Sequence, residues 1–150
     1  MLSNLEDSKS MGYAAKVAQV HGAQHPELLT INEIVKEAGE DLAEHLDSEE
    51  KFLFPLVKEL VQAKNSGTKP KSSHLESFIT KHVEEHENVG EEFDRLHELS
   101  NDFAIPEDAC ASYKLLYKML SEFEDDLHTH IHLENNILFP RVIELEKSLA

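Results

Sequence analysis

Cysteine, tryptophan and basic residues are scarce in this chain. Its 150 residues include one cysteine, Cys110, and no tryptophan. A single cysteine cannot form an internal disulfide, which is typical of proteins from reducing compartments. Lys and Arg together number 14 against 30 Asp and Glu, and the formal net charge is −16. Because nucleic acid and anionic membranes both need clustered positive charge, this balance argues against both partners.

Glycine, proline and long apolar runs are also scarce. Five Gly and five Pro, with 40% hydrophobic residues, exclude a disordered or loop-dominated chain. No run approaches the roughly 18 apolar residues of a membrane span. The N-terminal stretch lacks both a basic start and an apolar core, so no secretion signal is predicted. We therefore expect one cytoplasmic domain over residues 1–150.

Helix-breaking residues divide the chain into four predicted helices. We expect them from Ser3 to about His21, from Glu27 through Val61, from about Ser73 to Ser100, and from Glu107 almost to the C-terminus. Three of them carry an inward stripe at alternating three- and four-residue steps. The stripes are Ile31, Val35, Ala38, Leu42, His45, Glu49, Phe52 and Leu56; Leu75, Ile79, His82, His86, Val89, Phe93 and Leu96; and Tyr113, Leu116, Leu120, Phe123, Leu127, His130, Glu134 and Ile137. This pattern predicts an all-α, antiparallel up-down four-helix bundle with a shortened first helix.

A repeated motif lies where the stripes become polar. The pattern H-x-x-x-E-x-x-x-L-F-P begins at His45 and again at His130, on two different predicted helices. Residues four apart share a helix face, so each copy presents an imidazole and a carboxylate together. The repeat selects His130 over its neighbours His128 and His132, because only His130 stands four residues before a glutamate.

Five polar side chains on inward stripes predict a metal centre. A lone inward histidine is usually a hydrogen-bonded core residue, but this explanation does not account for the duplicated His–Glu spacing. Unpaired, a buried glutamate would cost several kcal/mol, and a metal ion removes that cost. Mixed imidazole and carboxylate ligation in a bundle suits iron or manganese better than structural zinc. The predicted metal ligands are His45, Glu49, His86, His130 and Glu134.

Four segments together make the chain resemble the hemerythrin-like domain of the repair of iron centres family. They are residues 16–28, 45–55, 85–90 and 130–140. The resemblance implies a non-haem di-iron cofactor, with His45, His86 and His130 as terminal ligands and Glu49 and Glu134 as bridging carboxylates. It also implies a role in restoring iron–sulfur clusters after oxidative or nitrosative damage, as a metal-binding repair protein more than a conventional enzyme.

The chain departs from that family in two ways. The family's small N-terminal domain with a cysteine pair has no counterpart here. A further family histidine ligand, near the start of the first helix, also has none, since His21 and His25 lie about 27–30 Å along a helix from His45. His82, one turn before His86, is the nearby substitute. The histidines interpreted as non-ligands are His21, His25, His74, His97, His128 and His132.

Three functions remain open at this point. The first is iron–sulfur cluster repair, with damaged iron–sulfur proteins as partners. The second is reversible binding or sensing of oxygen or nitric oxide. The third is a metal-poor bundle that serves association, because a short first helix would leave part of the core groove exposed and favour a homodimer.

Overall fold

The computed structural model of the protein describes residues 8–70 and 74–149. Within these residues every regular element is helical. The elements are α1 (Ser8–His21), α2 (Glu27–Ser48), the π turn π1 (Glu49–Leu53), α3 (Phe54–Ser66), α4 (Leu75–Ser100), α5 (Ala111–Leu133), the π turn π2 (Glu134–Leu138) and α6 (Phe139–Ser148). None of the described helices is both long and apolar enough to cross a membrane.

The predicted second helix is confirmed, and it is longer than expected. Residues 27–66 are helical throughout, passing through π1, and the helix ends at Ser66 instead of Val61. Gly67 ends it in the left-handed region, with φ 67°, and its N–H donates to the carbonyl of Ala63. A glycine adopts this conformation without the steric cost that a Cβ imposes.

The predicted third and fourth helices are also confirmed, apart from their starts. Ser3 and Ser73, where the first and third helices were expected to begin, lie outside the described residues. The fourth begins at Ala111, not at Glu107. Instead, the N–H of Ala109 donates to the carbonyl of Pro106 at 3.1 Å, which closes a turn before the helix begins.

Contacts within the chain group the residues into two compact units. Unit 1 is Met1–Ala43 with Asn88–His128, and unit 2 is Glu44–Glu87 with Thr129–Ala150. The predicted stripe residues that are buried in unit 1 include Ile31, Val35, Ala38, Leu42, Val89, Phe93, Leu96, Tyr113, Leu116, Leu120, Phe123 and Leu127. The core of unit 2 is formed by Leu53, Leu60, Leu75, Ile79, Phe139 and Val142. The antiparallel, up-down order of the helices stays a prediction.

Two residues of the predicted inward stripes, Phe52 and Ile137, are exposed to solvent instead. Phe52 is 64% exposed while the next residue, Leu53, is fully buried, and Ile137 is exposed while Phe139 is buried. Each lies within a π turn, which places one additional residue in a helical turn. The inward positions after π1 and π2 are therefore displaced relative to an uninterrupted α-helix, and the stripe prediction for Phe52 and Ile137 is wrong.

Candidate metal centre

The five predicted ligands converge within unit 2. His45 lies in α2, His86 in α4 and His130 in α5, while Glu49 and Glu134 are the first residues of π1 and π2. Each offers one ligand atom, and these five atoms lie within 4.8 Å of one another. All are buried except His130, whose side chain is 23% exposed.

The two π turns have the same local cause. In π1 the N–H of Phe54 donates to the carbonyl of Glu49, five residues back, and in π2 the N–H of Phe139 donates to Glu134 in the same way. A proline follows each turn, and a proline within a helix has no N–H to donate and crowds the carbonyl four residues back. A wider turn accommodates it, so the duplicated sequence builds the same backbone feature twice, each time at a glutamate of the site.

Imidazoles and carboxylates alternate around the centre. The Nε2 atom of His45 lies 2.8 Å from Oε1 of Glu49, and Nε2 of His130 lies 3.4 Å from the same oxygen. His130 Nε2 also contacts Oε1 of Glu134, and Nε2 of His86 lies 4.0 Å from Oε2 of Glu134. Each carboxylate thus touches its own helix's histidine and a histidine from elsewhere.

Two further residues orient the histidines from outside. The Nδ1–H of His45 donates to Oε2 of Glu85 at 2.5 Å, and the Nδ1–H of His86 donates to Oδ1 of Asn135 at 2.8 Å. Such bonds orient the two rings with Nε2 toward the centre, and in metal-bound histidines they keep Nε2 free of a proton so that it can bind the metal. Neither Glu85 nor Asn135 is predicted by the sequence motifs. The available signal was their position, since each is adjacent in sequence to a predicted ligand.

Burial and neighbouring charges perturb the ionisation of the site. Burial raises the pKa of the Glu134 carboxyl, His130 lowers it and Glu49 raises it again, so that the net pKa lies above its usual range. Burial also opposes ionisation of Glu49, but contacts with His130 and His45 outweigh burial and hold the pKa of Glu49 below its usual range. Burial would lower the pKa of His130, yet Glu134 and Glu49 raise it to about 9. Burial lowers the pKa of His86 to about 4, so this imidazole is neutral.

Unsatisfied polar atoms support a cation at this position. Among the described residues, Nε2 of His130, Oε1 of Glu49 and both carboxylate oxygens of Glu134 are buried without a hydrogen bond. A buried polar atom without a partner costs about 1–3 kcal/mol, and more when it is charged. One cation among these atoms would satisfy them together and neutralise the two acids. Nitrogen and oxygen ligands without thiolate fit iron or manganese, so the residues present fit the implied metal.

His82 lies beside this cluster but does not belong to it. It groups instead with His45 and Glu85, whose ligand atoms and its own lie within 4.8 Å of one another. Its ring is fully buried and stacks on Phe78 with ring centroids 3.8 Å apart. The six histidines predicted as non-ligands lie in neither cluster: His21, His25, His74, His97, His128 and His132.

The comparisons with known proteins agree with this geometry. The hemerythrin HHE cation binding domain matches residues 11–142. The iron–sulfur cluster repair protein ScdA of Staphylococcus epidermidis is 30% identical over 130 residues, covering 87% of this chain and 55% of that protein. A probable iron–sulfur cluster repair protein of Haemophilus influenzae is 37% identical over 131 residues, covering 87% of this chain and 54% of that protein. The iron–sulfur cluster repair protein DnrN of Neisseria gonorrhoeae is also 37% identical over 131 residues, covering 87% of this chain and 76% of that protein.

The matches cover a larger share of this chain than of its relatives. They cover most of this chain, which nevertheless spans only about half the length of ScdA and of the Haemophilus protein. The resemblance inferred from the sequence motifs is confirmed. Because the family match extends over nearly the whole chain, this protein belongs to the hemerythrin HHE cation-binding domain family.

Proposed function

We propose that this chain is a non-haem di-iron protein that helps to repair iron–sulfur clusters damaged by oxidative or nitrosative stress. The observation that carries the proposal is the convergence of two buried, unsatisfied glutamates, Glu49 and Glu134, from the two copies of one motif. Relatives that share most of this chain are named iron–sulfur cluster repair proteins. Their names supply the repair role, since a ligand set alone does not select a reaction.

Each residue of the cluster has a defined task in this proposal. His45, His86 and His130 would hold iron through Nε2 as terminal ligands. Glu49 and Glu134 would hold iron through their carboxylates, the role that the family resemblance gives to bridging ligands, and each lies close to histidines of two different helices. When bound, the iron would supply a change of oxidation state and an open position for a small ligand such as oxygen or nitric oxide.

The protein's own groups control access and charge. Glu85 and Asn135 hold the rings of His45 and His86 with Nε2 inward, so these ligands are oriented before metal arrives. Burial of the carboxylates excludes water, which strengthens their attraction to a cation. His130 is the most exposed member of the cluster, and a small molecule would approach from its side.

The proposal extends to the partners and the location of the protein. We propose damaged iron–sulfur proteins as the clients and oxygen or nitric oxide as the small ligands. The chain would act in the cytoplasm, where a lone thiol such as that of Cys110 stays reduced. A homodimer remains compatible with this function but is not needed for it, because one chain supplies all five ligands.

Iron reconstitution tests the metal centre. Protein purified without added zinc and loaded with ferrous iron under anaerobic conditions should hold about two irons per chain, as in carboxylate-bridged bundles. Glu49→Gln should lower the iron content, whereas the matched control Glu50→Gln, at an exposed position next to it, should not. Less than about one iron per chain in the unmodified protein would contradict the proposed centre.

Reactivation of a damaged enzyme tests the repair function. An iron–sulfur dehydratase inactivated by peroxide or nitric oxide should regain activity when the iron-loaded protein is added. Glu49→Gln protein and iron-free protein should not restore it. A reversible change of the optical spectrum on gas exposure, without any reactivation, would instead favour an oxygen or nitric oxide carrier.

A further inference from the structure

We propose that His82, Glu85 and the outer nitrogen of His45 form a second cation position, through which a metal ion enters and leaves the five-residue centre. This inference rests on the proposed function, since it assumes that the centre binds metal. It assigns a role to His82, and to Glu85 a role beyond orienting the ring of His45.

The geometry of His82 points to a ligand. Its Nδ1–H donates to the carbonyl oxygen of Phe78 at 3.1 Å, which leaves Nε2 as the nitrogen with a free lone pair. This Nε2 is buried and has no hydrogen-bond partner among the described residues, and the side chain as a whole is fully buried. A buried acceptor without a donor is costly, and a cation held with Glu85 and His45 would remove that cost.

His45 belongs to both cation positions. Its Nε2 faces Glu49 at 2.8 Å, and its Nδ1 faces Glu85 at 2.5 Å. A neutral imidazole carries a proton on one ring nitrogen and a lone pair on the other. His45 can therefore bind a cation on only one side at a time. A cation on Nδ1 of His45 and a cation on its Nε2 therefore exclude each other. This favours a position that a metal ion occupies briefly on its way to the centre over one that holds the ion permanently.

Glu85 connects the buried histidines to solvent. Its side chain is 32% exposed, whereas those of His45 and His82 are buried. The ammonium group of Lys81 lies 3.6 Å from Oε1 of Glu85, and the Lys81 side chain is 65% exposed. A mobile surface ammonium is readily displaced, so a hydrated cation could take its place on Glu85 and then exchange water for the two imidazoles. The net charge of −16 raises the concentration of cations near the protein.

Substitution of His82 by phenylalanine separates passage from binding. Phenylalanine keeps an aromatic ring against Phe78 and removes the ligand nitrogen. The full chain carrying His82→Phe should reach the same final iron content and optical spectrum as the unmodified protein. Its loading with ferrous iron, and its release of iron to a chelator, should be about tenfold slower, equivalent to about 1.4 kcal/mol in the barrier. The control His74→Phe makes the same substitution at an exposed histidine just before α4 and should leave both rates unchanged.

The outcomes of this experiment are distinct. Unchanged rates in His82→Phe would overturn the passage position while leaving the centre intact. A lower final iron content would overturn it as well, because His82 would then be a ligand of the centre itself. Failure of the unmodified protein to bind iron would overturn the proposed function together with this inference.

Cadmium NMR gives a direct readout of the second position. In the full chain carrying His86→Ala and His130→Ala, with folding checked by circular dichroism, the centre loses two of its three histidines. Cadmium should then show scalar coupling to Nε2 of His82 and Nδ1 of His45 in protein with nitrogen-labelled histidine. Coupling to Nε2 of His45 without coupling to His82 would contradict the proposal.

Discussion

His86 lies between an amide and a second imidazole. Its Nδ1 donates to Oδ1 of Asn135 at 2.8 Å, while its Nε2 lies 3.3 Å from Nε2 of His45. Burial would lower the pKa of His45, but contacts with Glu49 and Glu85 raise it, which favours a proton on each of its ring nitrogens when no metal is bound. Two lone pairs do not attract each other, so this approach is favourable only with a proton or a metal ion between them.

Loss of the Asn135 side chain should weaken metal binding. Asn135→Ala removes the acceptor that fixes the ring of His86, and loss of such an orienting partner typically costs about 10–100-fold in metal affinity. Competition with a chelator of known affinity measures this change. The matched control is Asn136→Ala, since Asn136 is exposed and its amide bonds to the exposed His132, away from the centre's ligands. Equal affinities of the two variants would show that Asn135 does not act on the centre.

Neutralising Glu134 should stabilise the metal-free protein. Glu134 is buried beside Glu49 and its oxygens lack hydrogen bonds among the described residues. Glu134→Gln removes one of two adjacent acids, so we expect the free energy of unfolding without metal to rise by about 1–3 kcal/mol.

The same variant should respond less to iron. A metal that binds only the folded state raises the melting temperature of the unmodified protein, and Glu134→Gln should lose most of that rise. Glu144→Gln, at an exposed site on α6, should behave as the unmodified protein does. Thermal unfolding with and without ferrous iron measures both effects. An undiminished rise in Glu134→Gln would argue against Glu134 as a ligand.

The cluster was predictable because its signal lies within single helices. A histidine and a glutamate four residues apart share a face wherever the helix goes, and the second copy at His130 and Glu134 identifies the same face on another helix. Glu85 and Asn135 were not predictable in this way. Their roles depend on how one helix is rotated against another, and a single sequence does not specify that rotation.

The π turns explain the errors in the predicted stripes. A sequence reading that assumes 3.6 residues per turn from Ile31 onward places Phe52 inside, and the additional residue of π1 places Leu53 there instead. Pro55 was the available signal, because a proline within a helix requires the local backbone to change.

Two adjacent substitutions should test the shifted register. Leu53 is fully buried and Phe52 is 64% exposed. Leu53→Ala should lower the free energy of unfolding by about 2–5 kcal/mol, the cost of a large-to-small change in a core. Phe52→Ala should change it by less than about 0.5 kcal/mol, as is usual at the surface. Urea denaturation of the metal-free proteins measures both values, and the reverse ranking would restore the uninterrupted α-helical register.

Glu92 should make unit 1 less stable as the pH rises. Burial raises the pKa of Glu92 to about 7, and the carboxylates of Asp41 and Glu37 contribute to the shift. The folded state therefore binds this proton more tightly than the unfolded state, whose pKa lies near 4.5. The stabilising contribution is complete below the unfolded value and is lost as the pH rises through about 7.

Glu92→Gln removes this dependence. At pH near 4.5 the variant and the unmodified protein should differ little, whereas at pH near 8 the variant should be more stable by roughly 1 kcal/mol, allowing for the partial exposure of Glu92. Thermal unfolding of the metal-free proteins at both pH values measures the difference, which corresponds to about 2–4 °C at the higher pH. Glu91→Gln, which changes the exposed neighbouring acid, should show no such increase with pH. If Glu92→Gln changed the melting temperature equally at both pH values, that change would not come from charge repulsion between Glu92 and the carboxylates of Asp41 and Glu37.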